Sequence, residues 1–399
     1  MSDARPLTPD RTAFRGRASC PLAVLLAVLV GAACEAGGGT AARAAAQEGP
    51  AEPLSDSAFA SLVSSLSEEG RYFDTDNLIS NEASYPHVLG PLRSRGVRGG
   101  AYVGVGPAQN FSYMVEVRPR IAFIVDLRRD NLLQQLLFKA VFEVAPTRVE
   151  YLSLLLGREP PASPLAWEDR SLEELLEWID GAADAEARAR RVVDSAVVTF
   201  GLPLDGPDLA TIGRFHETFI AEGLDLRFRS HGRAPRPYYP TLRRLLLERD
   251  LTGARGNFLA DPDDYRFLRD LQQRNLVIPV VGDLAGDHAV RAVGDLLRRR
   301  GEVLTALYTS NVEFYLFRAG TFDRFADNVA SLPVAEGGVL VRSYFPSFMG
   351  SHPDAVPGYW STQSLQTLAS FVETARTGGY RGYWDLVTRH ALDPAGVDR

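Results

Sequence analysis

Between Ala101 and Asn131 the apolar and polar positions alternate in blocks, and the blocks predict a strand, a turn, a short helix and a second strand. Ala101 to Val105 is a short apolar run of the kind that fills a parallel strand buried on both faces. It runs into Gly104-Val105-Gly106, where missing Cβ atoms permit a tight turn. Pro107 suits the first turn of a helix, where its absent N–H has no partner to lose, and Pro119 stops that helix. Ile121 to Val125 is the next apolar run, and Asp126 closes it twenty residues after Gly106. An acid at that offset is placed to accept hydrogen bonds from ribose hydroxyls.

Further along, Leu132 to Val144 is apolar on nearly every face and predicts a buried helix with Asp130 as a cap. Residues 147 to 275 then carry helical spacing at Arg148–Leu156, Leu172–Ile179, Ala185–Phe200, Leu209–Ala221, Tyr238–Glu248 and Asp263–Gln273, separated by proline-rich turns. Strands return at Leu276–Val281, Val303–Tyr308 and Gly338–Tyr344, with a helix expected from His288 to Arg300. Strands alternating with helices predict an α/β fold: a Rossmann-like, mainly parallel sheet with helices on both faces and a large helical insertion at about 147–275. In such a sheet the site lies beyond the carboxyl ends of the strands, which here carry Gly104, Gly106, Asp126, Asp283, Asn311 and Arg342.

The N-terminal pattern differs. Arg11, Arg15 and Arg17 precede the apolar run Pro21–Ala33, which is too short to span a bilayer comfortably and is followed by small residues. Residues 1–46 therefore read as a signal peptide or lipoprotein signal, with Ala32-Ala33-Cys34 and Ala44-Ala45-Ala46 as competing processing sites. Export follows, to the periplasm or to a membrane through an N-terminal lipid; without that signal function the chain is cytoplasmic. Residues 47–70 read as a linker and N-terminal extension, and 71–390 as the α/β domain.

Composition narrows the chemistry. Cys20 and Cys34 are the two cysteines, so the folded body has no disulfide, thiol nucleophile or zinc–thiolate site. His216 lacks the second histidine of a metalloprotease helix, leaving no metal site in the pattern. A formal charge of −7 with bases and acids interleaved gives no footprint for nucleic acid. A small-molecule ligand is the expected partner. Arg128 and Arg129 are expected in ion pairs with Asp130 or Glu143. In the polar stretch Asp76–Glu82, Asn81 is either a helix cap or, with Glu82, part of a lid that faces the ligand.

Val103-Gly104-Val105-Gly106 after the first strand, Asp126 after the second and Gly282-Asp283 after the third resemble the class I S-adenosylmethionine-dependent methyltransferase fold. The resemblance implies S-adenosylmethionine as cofactor. Its amino acid end would lie over Gly104, Val105, Gly106 and Asn110, its ribose on Asp126 beside Leu127, and its adenine at Gly282 and Asp283. Tyr308, Asn311 and Glu313, leaving the fourth strand beside it, are the candidate catalytic residues: Asn311 to orient an acceptor, Glu313 as base, Tyr308 as a wall carrying one hydroxyl. The chain departs from that family in having Tyr102 where an acid is usual, a long helical insertion, and no clear final hairpin of strands after Tyr344. As a whole it also resembles an exported bacterial family through the segments DNLISNE, GGAYVGVGPAQN, VDLRRDN and YTSNVEFYL, from which no activity follows. A non-catalytic binding protein on the same fold is one alternative. An NAD(P)-linked oxidoreductase is another, weakened by Pro107 and Ala108 in the pyrophosphate turn.

Overall fold

The computed structural model describes residues 45–49 and 51–392. The expected targeting segment therefore lies, apart from Ala45 and Ala46, outside the described residues, as do both cysteines. Among the described residues no helix is long and apolar enough to cross a membrane.

Among the described residues six strands form one sheet: β1 (Ala101–Gly104), β2 (Ile121–Asp126), β3 (Val277–Val281), β4 (Leu304–Tyr308), β5 (Val334–Tyr344) and β6 (Thr362–Thr367). Their order is β3-β2-β1-β4-β5-β6, the doubly wound arrangement in which the direction of strand addition reverses between β1 and β4. β1 to β5 are parallel, with Val103 opposite Phe123 on one side and Leu307 on the other. β6 runs antiparallel to β5, Arg342 opposite Ser364. This is the α/β fold expected from the apolar runs. Every residue of β1, β3 and β4 is buried, so both faces of the sheet are covered, as unbroken apolar strands require.

The final antiparallel pair gave no clear signal because β6, TQSLQT, is polar yet buried along nearly its whole length. Its two glutamines bond other buried polar groups, Gln363 through Nε2 to Glu82 and Ser343 and Gln366 to Arg342 and Tyr380, while Leu365 joins the apolar core.

The insertion between β2 and β3 follows its caps. Thr147 with Glu150, Ser171 with Glu174 and Asp205 with Asp208 form capping boxes that start the Arg148–Leu155, Leu172–Gly181 and Gly206–Glu222 helices. The Arg129–Val144 helix packs between sheet and insertion, touching β2 and β3 on one side and the Glu186–Val197 and Gly206–Glu222 helices on the other. That double contact explains a helix apolar all round. The Pro262–Gln273 helix, capped by Asp261, returns the chain to β3.

Part of the N-terminal stretch read as linker is held against the sheet. Gly100 N–H donates to the Gln47 carbonyl at 2.8 Å, and Arg120 Nη1 donates to the carbonyls of Glu48 and Gly49 at 3.1 Å each. The Asp56–Leu66 helix packs on β3 and buries Phe59, Val63 and Leu66, so the core begins before residue 71.

Candidate functional site

A cavity of about 340 Å³ opens over the carboxyl ends of β1 to β4, at the reversal of strand order. That size falls in the ~300–1,000 Å³ range of small-molecule sites. Each of the four strand ends contributes a turn to its wall.

After β1 the wall is Val105, Gly106 and Gln109. Gly106 has φ +79°, a left-handed turn that an L side chain resists, and Asn77 Nδ2 crowds the place a Cβ would take. The helix starts at Gln109, two residues later than Pro107 suggested, and a left-handed Arg118 ends it before Pro119. Asn110 is fully buried and outside the wall. Its Nδ2 donates to the carbonyls of Val105 (2.8 Å) and Pro107 (2.7 Å), and its Oδ1 accepts from Tyr102 Oη at 2.7 Å. Asn110 thus stitches the turn from beneath instead of reaching a ligand, a correction to its expected role. Gly104 serves the same packing: a Cβ there would stand 2.0 Å from Asn110 Oδ1 and 2.7 Å from Tyr102 Oη. Tyr102, where an acid was expected by resemblance, is one half of this buried pair.

After β2 the wall is Val125, Asp126, Leu127 and Arg128. Arg128 is the partner of Asp126, with Nε on Oδ1 and Nη2 on Oδ2, each at 3.1 Å. Its Nη1 donates to the carbonyls of Thr75 and Asp76 at 2.7 Å, which fastens the segment before β1 over the cavity. Arg129 pairs with Asp208 at 2.8 and 2.6 Å. Both arginines are in ion pairs, with acids other than Asp130 and Glu143. The Asp208 carboxyl is held below the usual range, Arg129 being the main cause.

After β3 come Gly282, Asp283 and Leu284. Gly282 makes room for Ala289, whose Cβ is 2.3 Å from where a glycine Cβ would be. Asp283 accepts from Ala285 N–H at 2.9 Å and from Arg71 Nη1 at 3.0 Å.

After β4 the wall is Ser310, Asn311 and Val312, with Tyr315 and Leu316 behind them. Ser310 sits at φ +53°, a costly conformation for a residue with a Cβ, and its hydroxyl donates to Glu82 Oε1. Of the three candidate catalytic residues only Asn311 lines the cavity. Tyr308 is fully buried one layer behind, donating to Glu82 Oε2 at 2.7 Å. Burial, with the Glu82 carboxylate beside it, pushes its phenol well above the usual range, so it acts as a hydrogen-bond donor. Glu313 is fully buried outside the wall, where Arg342 Nε approaches at 3.2 Å and Thr309 Oγ1 donates at 2.9 Å. The assignment of Glu313 as base is corrected: its carboxylate neutralises Arg342 inside the core.

Glu82, 1% exposed, lines the cavity instead, next to Asn81. Four neutral groups donate to it: Tyr308, Ser310, Ser343 and Gln363, the last at 3.0 Å. Of the two readings of the Asp76–Glu82 stretch, the cap is not found, since Ser84 and not Asn81 precedes the next helical turn, and Asn81 and Glu82 both stand on the cavity wall. Gln109, Ser310, Ser343 and Gln363 carried no separate signal in the sequence. His216, by contrast, is a core histidine, its Nε2 2.9 Å from the Leu154 carbonyl and its pKa lowered by burial.

The sequence model of a family described as a domain of unknown function (DUF7790) matches residues 78–393. No curated protein matches the chain. The matched span holds all six strands, the insertion and the cavity wall from Ser80 onward, and so the chain belongs to the DUF7790 family.

Proposed function

We propose that the cavity binds the adenosyl part of S-adenosylmethionine and that the protein is a methyltransferase-like enzyme acting on a small molecule. The observation that carries this reading is the pairing of Asp126 and Asp283 on adjacent strand ends in one cavity with the Gly106 turn.

The donor set suits a nucleoside. Asp126 Oδ1 already accepts from the Arg128 backbone and Nε, but Oδ2 accepts only from Nη2. A carboxylate oxygen offers about two acceptor positions, so Oδ2 keeps one for a ribose hydroxyl. Asp283 keeps acceptor capacity for an exocyclic amine, between the apolar walls of Val125, Leu284 and Leu316. A dinucleotide is poorly served. Pro107 has no N–H to offer a pyrophosphate, and the Asn110 amide is spent on the turn itself.

When bound, the cofactor supplies an electrophilic methyl group on a sulfonium. The chain's part is to hold an acceptor in line, with Asn311 on the wall to orient it. A second reading, a non-catalytic binding protein, is favoured by Tyr308 and Glu313 standing outside the cavity wall, which leaves Asn311 as the one candidate catalytic residue on it.

Calorimetry with S-adenosylmethionine, S-adenosylhomocysteine and NAD decides among these. Saturable binding of the adenosyl ligands and none of NAD is the expected result. Binding of NAD alone overturns it, and adenosyl binding without turnover of any acceptor moves the protein to the second reading.

A further inference from the structure

Glu82 is the acid of the cavity wall that has no arginine. Arg128 faces Asp126 and Arg71 faces Asp283, whereas among the described residues no Arg, Lys or His pairs with Glu82. A buried carboxylate without a cation is expensive, and neutral donors offset only part of that cost. The two oxygens are unequal. Oε2 accepts from Tyr308, Ser343 and Gln363, which exhausts it, while Oε1 accepts from Ser310 alone. Oε1 therefore retains an acceptor position, on the side of Ser310, itself a residue of the cavity wall.

Gln109 presents a second one. It is nine-tenths buried and lines the same cavity, and its Oε1 has no hydrogen-bond partner. Its orientation is fixed by logic as well as geometry: the Tyr308 hydroxyl spends its proton on Glu82, so towards Gln109 it can only accept, and the Nε2 end must face it, at 2.9 Å. The carbonyl end is left free. Glu82 and Gln109 thus stand on two sides of one hydroxyl, each with an unused acceptor, and one of them carries a charge.

We propose that Glu82 Oε1 and Gln109 Oε1 form a binding site for a primary ammonium group of the ligand. An ammonium carries a full charge and three donors with no acceptor, which matches two acceptors and an uncompensated carboxylate. A neutral hydroxyl would supply one donor and leave the charge unmatched. Two ligands carry such a group: the amino acid end of an adenosyl cofactor, and an acceptor substrate that is an amine. The first rests on the adenosyl reading above; the second does not.

The test uses two ligand pairs that differ in the ammonium group, titrated by calorimetry into the wild type, Glu82→Gln and Gln109→Leu. S-adenosylhomocysteine against its desamino analogue, which keeps the carboxylate, probes the cofactor source, and benzylamine against benzyl alcohol probes the acceptor source. In the wild type the ammonium-bearing member of one pair binds about ten- to a hundredfold more tightly, the worth of a hydrogen-bonded charge. Glu82→Gln removes that preference and leaves the neutral member within about twofold, a margin of under half a kcal/mol. The pair showing the preference names the source. If neither nucleoside binds, the adenosyl reading falls while the benzyl pair still decides the role of Glu82. Absence of a preference in both pairs, or equal weakening of both members by Glu82→Gln, overturns the site. Gln109→Leu carries the same comparison should Glu82→Gln fail to fold.

Discussion

Arg128 holds Asp126 from two sides, Nε on Oδ1 and Nη2 on Oδ2 at 3.1 Å each, while its own backbone N–H donates to Oδ1 at 3.0 Å. The acid expected to read a ribose is therefore also the counter-charge of a buried guanidinium that pins residues 75 and 76 over the cavity. Asp126→Ala should lower unfolding stability by about 1–3 kcal/mol, because Arg128 loses its counter-charge, and weaken an adenosyl ligand by a similar amount. Denaturant midpoints and calorimetry separate the two effects. A destabilised variant with undiminished affinity keeps the ion pair and removes Asp126 from the ligand.

The two glycines of the β1 turn fail for different reasons when substituted. Gly104→Ala drives a Cβ into Asn110 and Tyr102, and should cost about 1–3 kcal/mol as overpacking. Asn110→Ala in the same chain should recover part of that loss, which a double-mutant cycle reads directly. Gly106→Ala meets only a 3.2 Å contact but is forced to φ +79°, at a cost of roughly 1–2 kcal/mol. Additive losses for Gly104→Ala and Asn110→Ala would contradict the packing role given to Gly104.

Much of this fold was legible because its strands are buried on both faces and so read as apolar runs, as with IAFIV of β2 and VIPVV of β3. β6 was not, since TQSLQT buries glutamines that bond Glu82 and Arg342, partners far away in sequence. The same limit governs the site. Asp126, Gly282 and Asp283 are placed by strand ends and could be read from spacing. Whether Asn110 faces up to a ligand or down to Tyr102, and whether Glu82 or Glu313 is the acid at the cavity, depends on contacts across more than two hundred residues in the case of Glu82 and Tyr308. Such contacts have no local period.

Gln47 carries a consequence for processing. Cleavage after Ala46, one of the two sites read in the sequence, leaves the Gln47 carbonyl bonded to Gly100 and those of Glu48 and Gly49 bonded to Arg120. A chain beginning at Gln47 should therefore be more stable than one beginning at Ala51 by about 1–3 kcal/mol, the range for hydrogen bonds that include a charged donor. Equal melting of the two shows that these contacts do not hold in solution. Intact-mass measurement of protein exported by its own host should place the mature start between Cys34 and Gln47, and a chain retaining Met1 would sink the export proposal.

Lys139 is the single lysine of the sequence, and it is buried. Its Nζ donates to the Gln272 carbonyl and sits 5.1 and 4.9 Å from the ring centres of Phe59 and Phe200. Desolvation lowers its pKa to about 8, against smaller opposing effects of Glu143 and Asp56. The unfolded chain then binds a proton that the native state lacks between pH 8 and about 10.4, so stability rises with pH across that window. Below pH 8 both states are charged and the burial cost is felt in full, on the order of 3 kcal/mol. Lys139→Met should be the more stable protein at pH 7, by about 1–3 kcal/mol once the lost cation–ring attraction is allowed for, and the difference should shrink as pH rises above 8. Denaturation of both proteins at pH 7 and pH 9.5 tests it; a constant difference would mean that Lys139 is neutral at pH 7 or hydrated.

Glu313 and Asn311 stand two residues apart, yet the structure gives them unrelated fates. Asn311 is on the cavity wall, half-buried, whereas Glu313 and Arg342 are an ion pair with side chains 0% and 2% exposed. Glu313→Gln strips a buried guanidinium of its counter-charge and should cost about 3–5 kcal/mol of stability. Replacing both partners, Glu313→Leu with Arg342→Met, removes the unmatched charge and should return most of that loss. Urea unfolding of the single and double variants measures the difference. Asn311→Ala should leave stability within about 0.5 kcal/mol, as for surface positions, and act on ligand or turnover alone. A Glu313→Gln protein of wild-type stability with a selective loss of turnover would reverse this division, and would put Glu313 back among the groups that reach the acceptor.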